Sequence, residues 1–393
     1  MLRLKMYPAK NGDAFLVDAG GTYILIDAGF ALTYQAFIAT DLAKLVLDGG
    51  RLDLVVCTHI DADHIGGLLE FFSLNGTPDR RGIEVSAIWH NSLQSLPASA
   101  AAPDGVVDQM VLESIRRLGF PGVAASSSNP ISARQGSSLA KLLRQFGYTW
   151  NSGDGTTCIS AGDAPVSLSS SVSVHVIGPT TARLEELREL WLREVQKLGY
   201  RGSSNPSDLI DDAYEMWCAR AQAPSVPRAT PIAARGGLRL ADVYMPDTSV
   251  SNGSSIALIV CTGNTRLLFL GDALAEDMVT ILKAQQLTAG PVIFDAIKVS
   301  HHGSLHNTSV KLLSIVDSPC FLISSDGSRH GHPDFEVLAE IVDRPAPFQR
   351  QLFFNYETAA SRQLKSYVSR SGTAFSVHVA ENDWIQVGKK NDD

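Results

Sequence analysis

Short, β-branched apolar runs alternate with longer segments whose apolar residues recur at helical spacing, and that alternation predicts a mixed α/β fold. Residues 12–18 and 22–27, separated by Ala19-Gly20-Gly21, predict a β-hairpin. A helical period over 34–47 leads to a buried strand at 52–57, and a second helix opens at Leu68-Leu69-Glu70-Phe71-Phe72. Residues 84–89 predict a strand ending at His90, and 171–177 another, closed by Gly178-Pro179. Residues 254–261 and 266–270 predict a second hairpin, followed by a helix over 275–282. Strands at 295–300 and 320–324, a helix at 335–341, and closing strands at 351–356 and 373–378 with a helix between them complete the pattern.

Two stretches interrupt it. Residues 94–170 are rich in Ala, Ser, Gly and Pro, with helical patches only at 107–118 and 137–146. Residues 202–248 are punctuated by Pro224, Pro227, Pro231 and Gly236-Gly237 and predict a long loop or cap, placed as a substrate-covering lid would be. Between them, 183–198 predicts a charged amphipathic helix with a solvated face. A chain of 393 residues with 45% hydrophobic content buries a sizeable core, so the expectation is a single domain, 1–393, with insertions at about 94–170 and 202–248.

Composition narrows the partners. A formal charge of −8 argues against a protein that coats duplex DNA non-specifically, which needs a cationic face. It leaves a nuclease open, because bound divalent ions supply local positive charge. The five cysteines form no C-x-x-C pair, and Cys57, Cys261 and Cys320 lie in apolar runs, as buried free thiols of a reducing compartment do. Met1-Leu2-Arg3-Leu4-Lys5-Met6 has no leader pattern, and no apolar run approaches the roughly 20 residues of a membrane span. The expectation is a cytoplasmic protein with no membrane partner; nothing in the pattern gives its oligomeric state.

The candidate chemistry starts between the strand 52–57 and its helix, where the chain reads Thr58-His59-Ile60-Asp61-Ala62-Asp63-His64-Ile65-Gly66-Gly67. Imidazoles suit zinc and other transition metals, and carboxylates shift the preference toward harder ions such as manganese. Two of each in one turn, His59, Asp61, Asp63 and His64, can reach two adjacent cations, and the glycines permit close backbone approach. The alternative, an Asp capping the helix, accounts for one of the carboxylates.

His59-x-Asp61-x-Asp63-His64-x-Gly66-Gly67 resembles the H-x-H-x-D-H signature of the metallo-β-lactamase superfamily, with Asp61 in place of the second His. That variant resembles the nuclease-like domain of ComEC-type competence proteins and their stand-alone relatives. Asn252-Gly253-Ser254-Ser255, Lys298-Val299-Ser300-His301-His302-Gly303-Ser304 and Gly331-His332-Pro333 resemble the same branch. The resemblance implies a four-layer αββα sandwich. It implies that Asp27 supports the metal loop from behind, unless it is a simple turn carboxylate, and that Asp272 bridges two metals, unless it caps the following helix. It also implies a further His ligand, for which His90 is the candidate, a structural His being the alternative. Strand alternation places His301 and His302 on opposite sides, so one of them, with His302 favoured, completes the second metal site.

The expected function is that of a metal-dependent hydrolase with two divalent ions, Zn or Mn, most simply a phosphodiesterase or nuclease attacking with a metal-bound hydroxide. Asp63 would orient the attacking group as well as bind metal, and His332 would assist the leaving oxygen unless it merely caps the helix 335–341. Lys298, Ser304, Arg329 and His330 are candidates for substrate oxygens. The substrate implied by the branch is nucleic acid, single-stranded DNA above all. A small ester, lactone, cyclic nucleotide or β-lactam is the alternative substrate, and a non-catalytic metal-binding regulatory module the alternative role.

Overall fold

The computed structural model describes residues 2–97, 109–117, 138–162, 164–200, 208–221, 237–285 and 290–388. The architecture is mixed α/β with several sheets and many helices, consistent with the sandwich expected from the sequence. The chain divides into two compact units, the first formed by residues 1–23, 161–179 and 226–393, the second by 24–160 and 180–225.

The first unit is built on an eight-stranded sheet. Its order is Phe375–Val379, Arg350–Phe354, Cys320–Ile323, Ala296–Lys298, Thr265–Phe269, Ala257–Thr262, Val172–Gly178 and Val166–Ser167. The first five strands run parallel, and the predicted hairpin pairs Ala257–Thr262 with Thr265–Phe269 antiparallel. Leu268, Ile297, Phe321 and Leu352 lie side by side across four strands and are all buried in one apolar core. Helices Ala275–Gln285, Val310–Ile315 and Phe335–Asp343 press Met278, Leu282, Leu313, Leu338 and Ile341 into it. Strands buried on both faces read as continuous apolar runs, which is why 257–260 and 320–323 show no alternation. The same unit contains an antiparallel set, Leu2–Met6 between Ala14–Ala19 and Trp384–Val387.

Parallel pairing brings the C-terminal ends of Thr265–Phe269, Ala296–Lys298 and Cys320–Ile323 to one edge of the sheet. Open α/β sheets collect ligands at such an edge. Here it carries Asp272, His301 and His302, and the turn toward His332.

In the second unit Tyr23–Ala28, Leu54–Val56 and Ile88–Trp89 pair parallel, so Asp27 lies in the last residues of one strand and His59 and His90 follow the ends of its neighbours. The expected strand 84–89 is short because only its last residues join the ladder, with an isolated bridge between Leu52 and Val85 before them. Helices Gln109–Arg117, Leu139–Gln145 and Thr181–Lys197 match the predicted patches, and Thr181–Lys197 buries Leu184, Leu187, Trp191 and Val195 along one face.

One expectation needs correction. Within 202–248, read as a loop or lid, Asp208–Ala221 is a packed helix with Ile210, Ala213, Tyr214 and Met216 fully buried. Its helical period is real, but the surrounding Pro and Gly dominate the composition. Residues 201–207 and 222–236, on which the lid expectation also rests, lie outside the described residues. Among the described residues, Cys57 and Cys320 are buried free thiols, Cys158 and Cys261 are half-buried free thiols, and no helix is long and apolar enough to cross a membrane.

Candidate functional site

In the second unit the turn after Leu54–Val56 is organised by Asp27. This residue is fully buried at φ 53°, a left-handed conformation that Asp tolerates better than most side chains. Its Oδ1 accepts the Thr58 backbone N–H at 2.7 Å, and its Oδ2 accepts the Thr58 hydroxyl at 2.6 Å and lies 2.8 Å from His64 Nδ1. A carboxylate on Nδ1 fixes the ring and places the lone pair of the neutral imidazole on Nε2. The rings of His59 and His64 stand 4.1 Å apart, and His59 Nε2 lies 3.4 Å from Asp61 Oδ2. Asp61 occupies the N-cap position of helix Ala62–Asn75 yet makes no capping hydrogen bond with its side chain. The capping alternative therefore does not account for it. Asp63 is half-buried in the helix's first turn. The close approach expected of the glycine pair is visible at Gly67, whose N–H donates to the Gly29 carbonyl at 2.7 Å. A Cβ at Gly67 would lie 2.1 Å from the Ala28 carbonyl oxygen.

His90 is placed at its strand end as predicted, but its partner is elsewhere. Nε2 lies 2.9 Å from Glu215 Oε1, and the buried Glu215 also accepts the Leu139 backbone N–H at 2.5 Å. His90 joins none of the candidate metal groups found among the described residues.

In the first unit the strand Thr265–Phe269 runs through Gly271, at φ 52°, to a buried Asp272. Asp272 Oδ2 lies 3.8 Å from His301 Nε2 and 3.7 Å from His302 Nε2. The expectation that alternation separates the two histidines is corrected here. The strand ends at Lys298, and His301 (φ 44°) and His302 (φ 56°) both sit in a left-handed turn, so the period of two no longer applies. His302 Nδ1 lies 2.9 Å from the Ser324 carbonyl and 3.3 Å from Asp13 Oδ1. Asp272 and Asp13 hold the His302 pKa above its ordinary value, outweighing the opposing pull of burial. One ligand atom from each of Asp13, Asp272 and His302 falls within 4.8 Å of the others.

Asp13 is the residue the sequence reading missed. It precedes strand Ala14–Ala19, far along the chain from its partners. The signal that could have found it is Lys298, a lone ammonium in an otherwise apolar strand, which requires a buried carboxylate opposite. Lys298 is 1% exposed, pairs with Asp13, donates to the Gly271 carbonyl at 2.8 Å and stands 3.7 Å from Asp272 Oδ1. It is thus a fixed internal cation between two carboxylates, where a contact to substrate oxygens was expected.

His332 is buried, with Nδ1 at 3.2 Å from Asp334 Oδ2 and its ring 5.3 Å from that of His301. Burial pushes its pKa down to about 4, so at neutral pH the ring offers hydrogen bonds and no charge. It does not cap helix Phe335–Asp343, whose N-cap position belongs to Asp334. His330 is exposed and stacks at 6.0 Å on His332, and Arg329 is half-buried beside it. Ser304 is buried, and its hydroxyl accepts the His306 backbone N–H at 3.2 Å.

The donors gathered in each unit are imidazole nitrogens and carboxylate oxygens. The Cys57 thiol, two residues before His59, donates to the His59 carbonyl at 3.3 Å. A nitrogen and oxygen set of this kind fits divalent ions such as zinc or manganese. Lys298 offsets one of the two carboxylate charges in the first unit, leaving one formal negative charge that favours a cation there.

Residues 7–169 match the family model described as the metallo-beta-lactamase superfamily. No match to a curated protein was found. Among solved structures, the chain is similar to Igni18, described as a novel metallo hydrolase from Ignicoccus hospitalis, at 13% identity over 99% of this chain and 100% of that one, with a TM-score of 0.38. It is similar to the metallo-beta-lactamase fold protein YhfI from Bacillus subtilis at 9% identity over 98% and 100%, with a TM-score of 0.38. It is also similar to Zn(2+)-bound PqqB from Methylobacterium extorquens at 12% identity over 98% and 100%, with a TM-score of 0.35. The residues matched by that family model include Asp13, Asp27, His59, Asp61, Asp63, His64 and His90.

Proposed function

We propose that the protein is a metal-dependent hydrolase of phosphodiesters, with nucleic acid as the substrate class. The observation that carries this reading is the approach of two imidazole Nε2 atoms, from His301 and His302, to one carboxylate oxygen of Asp272 at 3.8 and 3.7 Å. Ligand atoms of a single cation stand apart by comparable distances. The similarity of residues 7–169 to the metallo-beta-lactamase superfamily model supports the hydrolase class, and the Lys298 to Ser304 motif supports the phosphodiester substrate.

Divalent ions, when bound, lower the pKa of a coordinated water toward ~7 and offset negative charge developing on the reacting centre. The chain's own residues prepare for that chemistry. Asp27 holds the His64 ring at Nδ1, and Lys298 holds the Asp13 and Asp272 carboxylates in place. We assign to His332 a hydrogen bond to the departing oxygen. The exposed His330 and half-buried Arg329 are the side chains assigned to substrate phosphate.

The test is hydrolysis of bis-p-nitrophenyl phosphate, single-stranded DNA and nitrocefin, each with manganese or zinc, by the wild type and Asp272→Asn. Metal-dependent cleavage of the two phosphodiesters, lost in Asp272→Asn, is expected. Cleavage of nitrocefin alone overturns the phosphodiester assignment, and cleavage of none favours a metal-binding regulatory module.

A further inference from the structure

The tautomer of His301 follows from hydrogen-bond accounting around Asn307. The Asn307 side chain is fully buried, and its Nδ2 donates to Asp247 Oδ2 at 2.9 Å and to the Asp272 carbonyl oxygen at 3.1 Å. Both partners are acceptors, so the amide orientation is settled: that end is the NH2 and the other is the carbonyl. The carbonyl end, Oδ1, lies 2.8 Å from His301 Nδ1. A carbonyl only accepts, so Nδ1 carries the proton and the lone pair of the neutral ring is on Nε2. Nε2 is the atom turned toward Asp272 Oδ2.

Asp247 is itself locked. Its Oδ1 accepts the Ser249 backbone N–H at 2.8 Å, its Oδ2 accepts Asn252 Nδ2 at 2.6 Å, and its own N–H donates to the His306 carbonyl at 3.0 Å. The carboxylate stands 4.0 Å from His301 Nδ1, near enough to favour a proton there. Asn252 Nδ2 also lies 3.4 Å from that nitrogen, but with both atoms bearing hydrogens this is a contact without a hydrogen bond. His302 reaches the same tautomer by a different route, through the Ser324 carbonyl.

We propose that Asp247 and Asn307 are positioning residues that hold His301 in the Nδ1–H form, so that its Nε2 lone pair serves a divalent cation beside Asp272. The proposal rests on the metal-dependent reading above and deepens it: both adjacent histidines are ligands. It also gives the Asn252-Gly253-Ser254-Ser255 motif a task, since Asn252 anchors the carboxylate on which Asn307 depends. Support of this kind behind a ligating histidine is worth about 10–100-fold in metal affinity.

The test is the long-range proton–nitrogen NMR spectrum of the metal-free protein at a pH where the rings are neutral, with the His301 signal identified by its loss in His301→Gln. The proposal expects a pure Nδ1–H tautomer in the wild type, a shift toward Nε2–H in Asn307→Leu, and about 10–100-fold weaker manganese binding by that variant. An Nε2–H tautomer in the wild type overturns the proposal, as does an unchanged tautomer in Asn307→Leu. Should Asn307→Leu fail to fold, the wild-type spectrum decides alone, Nδ1–H supporting and Nε2–H overturning. An Nδ1–H wild type that binds no manganese supports the positioning role and overturns the metal reading, so the two failures are distinct.

Discussion

The carboxylate of Asp27 holds Nδ1 of His64 at 2.8 Å while the same residue takes a left-handed backbone conformation at φ 53°. Asn adopts that conformation as readily as Asp, so Asp27→Asn removes the charge and spares the turn. The expected result is about a 10–100-fold loss of metal affinity with the fold retained. Titration with zinc or manganese, alongside circular dichroism, measures both. Unchanged affinity contradicts the role assigned to Asp27.

Lys298 supplies the second prediction. It is almost fully buried between Asp13 and Asp272, and its removal leaves two carboxylates without their cation. Lys298→Met, similar in length and uncharged, is expected to destabilise the metal-free protein by about 3–5 kcal/mol in denaturant unfolding. Added divalent metal should recover part of that loss, because it supplies positive charge beside the same oxygens. A variant as stable as the wild type contradicts the account.

A third prediction concerns pH and the packed helix Asp208–Ala221. Burial pushes Asp211 up to about 6, against the pull of Arg144, whose Nη2 donates to Asp211 Oδ2 at 2.6 Å. Between the unfolded value of about 3.9 and this raised value the native state binds the proton more tightly than the unfolded chain. Stability from this group is therefore fully present at low pH and falls as pH rises toward about 6, by a few kcal/mol at most. Asp211→Asn lacks that slope. Its stability relative to the wild type is expected to rise between pH 4 and 7, read from urea unfolding at each pH. A constant difference contradicts the assignment.

What was legible in the sequence was local. The strand–turn–helix around His59 and His64 and the hairpin leading to Asp272 announce themselves by period and by turn chemistry. Long-range pairing was not legible. Asp13 meets Lys298 and His302 only through the fold, and Glu215 reaches His90 from a helix hidden in a Pro- and Gly-punctuated stretch. His301 and His302 were misjudged because positive φ at a non-glycine residue has no sequence signal, so strand alternation was carried past the end of the strand.

The central claim is that the imidazoles and carboxylates described above bind divalent metal. Equilibrium dialysis of the wild type, Asp272→Asn and the double variant His59→Ala/His64→Ala against manganese or zinc, with metal counted per chain, tests it most directly. The account predicts two ions per wild-type chain and a lower count in each variant. A wild-type chain that retains no metal, or variants that retain as much as the wild type, would contradict it.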